Sequence, residues 1–132
     1  MEIKRITPEE TKQLLDSGDY VYLDVRTTRE FDAGHVPGAK NIPVLEPDPY
    51  GRMNLNPDFV GVVEANFGKD CKIVTGCQKG GRSLKAAELL VEAGFSNVVD
   101  MLGGFGDGWL PRGLPVSADS APGDRYENLA QK

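Results

Sequence analysis

An alternation of strand and helix signals is what most limits the fold. Five short apolar runs, at residues 3–6, 21–25, 39–42, 72–75 and 97–101, are each followed by helical or turn signals. Thr7-Pro8-Glu9-Glu10 reads as a helix start: Thr7 supplies the cap, Pro8 sits in the first turn and Glu10 completes a capping box. Leu14 and Leu15 give that helix an apolar face, and Gly18 stops it. A short helix is expected around Arg29 to Ala33, ahead of Gly34. Asn56-Pro57 repeats the cap-plus-proline start, and Phe59, Val60, Val63 and Phe67 recur at helical spacing. Ser83 to Ala93 is the strongest helical stretch, with Leu84, Ala87, Leu90 and Val91 on one side and Lys85 and Glu88 on the other. A last short helix is expected near Phe105 to Leu110. Strands that alternate with helices imply an α/β domain with a mainly parallel sheet, and such sheets place their sites at the carboxyl ends of the strands. The segment Val44 to Leu55 carries Pro47, Pro49 and Gly51 and reads as a loop. The domain is expected over residues 1–116. Residues 117–132, polar and rich in small side chains, are expected to be a flexible tail, although Tyr126 and Leu129 are able to dock.

A chain of 132 residues fits one domain. Twenty Asp and Glu against fifteen Lys and Arg leave a net charge of -5. That balance argues against a general nucleic-acid binder, yet it leaves room for a small basic pocket. No run approaches the roughly 18 apolar residues of a membrane helix, and no apolar signal region follows the first residues. A cytoplasmic location is the expectation, with no membrane partner. The two cysteines, Cys71 and Cys77, flank the apolar run 72–75. As a strand, that run holds their Cα atoms about 20 Å apart at ~3.3 Å per residue, far beyond the roughly 7 Å reach of a disulfide. One histidine and two cysteines fall short of a structural zinc site, so neither metal nor cofactor is called for.

The informative segment is Ile73-Val74-Thr75-Gly76-Cys77-Gln78-Lys79-Gly80-Gly81-Arg82-Ser83. It passes from a buried strand through a tight loop into a helix. Gly80 and Gly81 let the backbone curl. Curled N–H groups at the start of a helix form an anion-binding nest, and Cys77 sits where that nest can hold its sulfur. A thiolate there is favoured by the helix dipole and by Lys79 and Arg82, and the thiolate is the nucleophile. A buried small residue at a strand end is the plain alternative for Cys77, but it leaves the two glycines and two cations unexplained. Cys71, beside Asp70, has no such surroundings and is read as structural. Arg82 serves as an anion ligand, a salt-bridge residue or both. His35, the only histidine, lies in a turn, Gly34-His35-Val36-Pro37-Gly38, and is read as a local hydrogen-bonding residue rather than a catalytic base.

These residues resemble the rhodanese family. Leu23-Asp24-Val25-Arg26, then Glu30-Phe31, then Gly34-His35-Val36-Pro37-Gly38-Ala39 and Asn41-Ile42-Pro43 are similar to the N-terminal signature of rhodanese domains. Gly103-Gly104-Phe105, Trp109 and Gly113-Leu114-Pro115 are similar to the C-terminal one, and Cys77 to Arg82 occupies the place of the active-site loop. The resemblance covers residues 5 to 116. It implies a single-domain thiosulfate sulfurtransferase: three layers, with a central, mostly parallel five-stranded sheet flanked by helices. It implies Cys77 as persulfide carrier and the backbone of Gln78, Lys79, Gly80, Gly81 and Arg82 as the sulfur cradle. The partners it implies are thiosulfate or another sulfane-sulfur donor, and cyanide, a small thiol or a protein thiol as acceptor. Arg26, Glu30 and His35 match bracing positions. The loop counts six residues from Cys77 to Arg82, one fewer than in phosphatases and arsenate reductases of the same fold, which favours a single sulfur atom over phosphate. The alternative is a carrier or regulatory module that takes persulfide from a protein partner without turnover of its own.

Overall fold

The computed structural model describes residues 2–131; the first position of the expected 1–116 domain and the last of the 117–132 tail lie outside it. In chain order the elements are β1 (Arg5–Ile6), α1 (Pro8–Asp16), β2 (Tyr20–Asp24), α2 (Thr28–Ala33), β3 (Lys40–Asn41), β4 (Leu45–Pro47), β5 (Met53–Leu55), α3 (Phe59–Asn66), β6 (Lys72–Gly76), α4 (Gly81–Glu92), β7 (Asn97–Met101) and α5 (Tyr126–Leu129). A wide π-type turn spans Gly104–Trp109, and single 3₁₀ turns cover Leu110–Arg112 and Pro122–Asp124.

Five strands form one sheet in the order β1-β7-β6-β2-β3, and every pair is parallel. The chain builds outward from β2 to β3 in one direction and from β6 to β7 in the other. The switch point therefore lies between β2 and β6, whose last residues, Asp24 and Gly76, are register partners. A crevice opens outside the carboxyl ends at such a point, and ligands of open α/β sheets bind there.

Helices cover both faces, which is why the middles of the central strands, Val21–Leu23 and Ile73–Val74, are continuously apolar rather than alternating. Successive strand residues feed opposite layers. Leu23 and Ile73 pack with Phe59, Val63, Ala86, Ala87 and Leu90 of α3 and α4. Tyr22 and Val74 pack with Phe31 of α2, Phe105 and Trp109, and Leu14 and Leu15 of α1 edge that cluster. The expected three-layer α/β architecture is present.

Helix α1 carries the expected capping box: the Glu10 N–H donates to Thr7 Oγ1 at 3.1 Å and the Thr7 N–H to Glu10 Oε1 at 3.0 Å. Helix α2 has a second box, from Thr27 and Glu30. Elsewhere the chain departs from expectation. Asn56 does not cap α3. It is buried, its Oδ1 accepts from the Asp58 N–H at 3.1 Å, and its Nδ2 donates to the Pro43 carbonyl and the Tyr126 hydroxyl, so the helix starts later, at Phe59. Helix α4 begins two residues early, at Gly81. The Val44–Leu55 loop contains an antiparallel hairpin, Leu45–Pro47 against Met53–Leu55. Asp48 closes it by accepting from the Tyr50 and Arg52 N–H groups at 2.8 and 2.9 Å. Pro47 is tolerated because this ribbon is all edge.

The segment expected as a loose tail is folded onto the body. Ser117 bridges to His35, Asp124 pairs with Lys40, and Arg125 pairs with Asp32 at 2.7 Å. Asn66 Nδ2 donates to the Leu129 carbonyl at 2.9 Å, and the Leu129 side chain is 4% exposed within the α3–α4 layer. Leu129 docks as its apolar side chain allows; polar composition hid the anchors at Ser117, Asp124 and Arg125 because their partners lie far away in sequence. Leu129→Ala should lower the unfolding free energy by about 2 kcal/mol, the low end for a buried leucine. Chemical denaturation checks this; a loose tail would give no change.

Candidate active site

Cys77 leaves the carboxyl end of β6 at the switch point. The preceding residue has to be glycine, because a Cβ on Gly76 would lie 1.7 Å from the Tyr22 hydroxyl. Cys77 is 1% exposed, and its Sγ accepts the Gly80 N–H at 3.0 Å. Gly80 has φ +109°, a conformation that side chains resist, and it opens the twelve-residue helix α4. The sulfur thus rests at the positive end of a helix, with the Gly80 N–H of the loop turned toward it. A shallow cavity of about 300 Å³ above it is lined by Cys77, Gln78, Lys79, Gly81 and Arg82. Of the six loop residues singled out from the sequence, five line that cavity, and Gly80 is buried.

The loop is seated from below by the π-type turn. The Phe105 N–H donates to the Cys77 carbonyl at 2.7 Å and the Gly106 N–H to the Gln78 carbonyl at 2.9 Å. A Cβ on Gly104 would lie 2.5 Å from the Cys77 oxygen, and one on Gly106 2.2 Å from Gln78 Nε2. The short helix expected near Phe105 to Leu110 is this π-type turn, followed by a 3₁₀ turn. The clustered glycines of Gly103 to Gly108 were the available signal, since such close backbone approach leaves no room for a side chain.

The side of the site is built from β2 and α2. Arg26 is 2% exposed. Its Nε and Nη2 donate to Asp24, Nη2 also donates to the Gly34 carbonyl at 2.7 Å, and Nη1 donates to Gln78 Oε1 at 3.0 Å. Its guanidinium lies over the Phe105 ring, 4.6 Å from the centroid. Glu30, the capping residue of α2, forms a two-pronged pair with Arg82 at 2.7 and 3.0 Å. Both Nη atoms of Arg82 serve the Glu30 carboxylate, so the salt-bridge role is present, and Arg82 also lines the cavity over Cys77. Lys79 stands exposed at the rim. A second groove, about 440 Å³, lies beside the cup against Arg26, Glu30, Ala33, Gly34 and Phe105, and Gln78 is the wall between the two.

His35 is not brought to the sulfur. It is buried and stacks on Phe31 at 3.8 Å, with Nδ1 at 2.7 Å from the Phe31 carbonyl and Nε2 at 2.9 Å from the Asp119 carbonyl. It ties the end of α2 to the C-terminal segment. Cys71 lies at the opposite end of β6, where burial and the charge of Asp70 push its thiol up. Among the described residues no cluster of metal-ligating side chains occurs, and no helix is long and apolar enough to cross a membrane.

Residues 7–110 match the Rhodanese-like domain family. The chain is 47% identical over 97 residues to thiosulfate sulfurtransferase 16, chloroplastic, of Arabidopsis thaliana, covering 74% of this chain and 79% of that protein. It is 38% identical over 120 residues to thiosulfate sulfurtransferase 18 of the same plant, covering 89% and 86%. Its fold is similar to that of the crystal structure of Rv0390 from M. tuberculosis, with a TM-score of 0.75 at 23% identity, over 90% of this chain and all of that one. The chain therefore belongs to the family of rhodanese-like domains.

The Glu30–Arg82 pair sets an acid limit. Hydrogen bonds from Arg82 outweigh the cost of burial and, with the Arg82 charge and Thr27, hold the Glu30 carboxyl at about 2 instead of 4.5. A depressed carboxyl stabilises the fold above its unfolded value and loses that contribution as pH falls through its folded value. The contribution should be whole above pH 4.5 and fade toward pH 2. Denaturation curves across that window should show a shallower acid decline in Glu30→Gln than in the parent protein.

Proposed function

We propose that the protein is a sulfurtransferase that carries a sulfane sulfur on Cys77. The observation that carries this is the sulfur cup itself: a buried cysteine at the switch point, its Sγ held by a loop N–H and set at the start of α4. Two relatives that share most of this chain's length bear the name thiosulfate sulfurtransferase.

The Cys77 thiolate attacks the outer sulfur of thiosulfate. The S–S bond of the donor breaks, sulfite leaves with the electron pair, and Cys77 holds a persulfide. A second nucleophile, cyanide or a thiolate, then attacks that outer sulfur. Thiocyanate or a new persulfide leaves, and the Cys77 thiolate returns. The outer sulfur is anionic in the loaded state, and backbone N–H groups aimed at it stabilise it without reorganisation. The six-residue loop makes a cup for one atom rather than for a tetrahedral oxyanion. Arg26 and Arg82 act here as braces, since both are committed to carboxylates. Lys79 is left as the rim charge that draws an anionic donor toward an otherwise acidic protein. That scarcity of uncommitted cations also favours a second reading, a carrier loaded by a persulfidated partner protein in place of thiosulfate.

Cys77→Ser should abolish thiocyanate formation from thiosulfate and cyanide, and it should prevent the gain of one sulfur seen by mass spectrometry. Cys71→Ser should retain both. Loading from a persulfidated protein but not from thiosulfate would select the carrier reading. Lys79→Ala should raise the KM for thiosulfate about fivefold, the scale of one exposed charge, with kcat little changed in steady-state assays.

A further inference from the structure

Arg5 lies on the edge strand β1, and nothing in the proposed reaction calls on it. Its guanidinium reaches beneath the sulfur loop. Nε donates to Asp100 Oδ2 at 2.9 Å, and Nη2 donates to the Gly80 carbonyl at 3.2 Å. Asp100, on β7, is fully buried, and its other oxygen accepts the Thr75 hydroxyl at 2.9 Å. The arrangement is a bridge: a buried carboxylate holds a guanidinium, and the guanidinium holds one loop carbonyl. The same carbonyl accepts the Ser83 hydroxyl and the Leu84 N–H, each at 3.3 Å. A Cβ on Gly80 would approach Arg5 Nη2 to 3.0 Å.

Fixing that carbonyl fixes a donor on the other side. The Gly80–Gly81 peptide is trans, so its C=O and N–H point in opposite directions. With the oxygen drawn down toward Arg5, the Gly81 N–H is turned up, and Gly81 lines the cavity over Cys77. Without Arg5 the carbonyl would keep only the Ser83 hydroxyl and the Leu84 N–H, both long at 3.3 Å and both from within α4.

We infer that Arg5, held by Asp100, is a positioning residue that aims the Gly81 N–H at the outer sulfur of a Cys77 persulfide. This rests on the sulfurtransferase reading above. The side chain of Arg5 is one-third exposed (33%), so Arg5→Met keeps its stem and is expected to fold.

The test has two readouts on the full chain: the rate of one-sulfur mass gain from thiosulfate, and the ¹H–¹⁵N shift of the Gly81 amide before and after loading with inorganic polysulfide. Misdirecting a donor should cost less than the roughly 10²- to 10³-fold that follows its deletion, so about tenfold slower loading is expected for Arg5→Met. Its KM for thiosulfate should stay within about twofold, since no donor contact is lost. The Gly81 amide should move downfield on loading in the parent and in Arg5→Lys, and stay in place in Arg5→Met. If Arg5→Met fails to fold, Asp100→Asn, which keeps the shape and removes the charge that holds Arg5, takes its place with the same expected outcomes. Parent-like loading and a parent-like Gly81 shift in the variant would overturn the inference and leave the sulfurtransferase reading standing. Failure of the parent to load from both thiosulfate and polysulfide would overturn the reading and the inference together.

Discussion

The buried pair of Asp24 and Arg26 is the joint on which the site depends. Arg26 spends its donors on Asp24, on the Gly34 carbonyl at the end of α2 and on the Gln78 side chain in the sulfur loop, and its face lies on Phe105. Four separate segments therefore meet at one guanidinium. A pair this buried adds little net stability over an apolar one, but losing either partner would leave an uncompensated charge in the interior. Geometry is what it supplies. Arginine suits the role because its planar fork serves several acceptors at once, which a lysine does not do.

Around that joint the loop is held from three directions. The glycine-rich π-type turn seats the Cys77 and Gln78 carbonyls from below. Glu30 holds Arg82 from the side, and Arg5 holds the Gly80 carbonyl from behind. Each brace engages a carbonyl or a side chain at the outside of the loop. On the inside, the Gly80 N–H meets the Cys77 sulfur. The net charge of -5 describes the surface as a whole; the inside of the cup is made positive by backbone dipoles and a helix start.

Much of this was legible beforehand because it is local. Thr7 and Glu10 cap α1 within one turn of chain. The alternation of apolar runs and glycine stops marks a sheet covered on both faces, and the loop from Cys77 to Arg82 shows its curl in two adjacent glycines. Asn56 misled because its side chain serves a long-range tie between Pro43 and Tyr126 instead of the helix that follows it. The hairpin of β4 and β5 was obscured by prolines that an all-edge ribbon tolerates. The C-terminal segment looked loose, apart from Tyr126 and Leu129, because Asp124 and Arg125 find partners more than 80 positions away, at Lys40 and Asp32, where no local pattern points.

By itself the sequence determined the class of fold, the place of Cys77 after a buried strand, and the curl of the loop that surrounds it, since propensity, periodicity and glycine freedom act over a few residues. Only the tertiary structure decided which charges are available and which are committed. Arg26, Arg82 and Arg5 read alike as cations along the chain, yet Arg82 and Arg5 are paired with carboxylates brought from other elements and Arg26 with Asp24 two residues before it, while Lys79 stays at the rim. Coulomb attraction and hydrogen bonding depend on distance in space, and distance in space is set by the packing of the whole sheet.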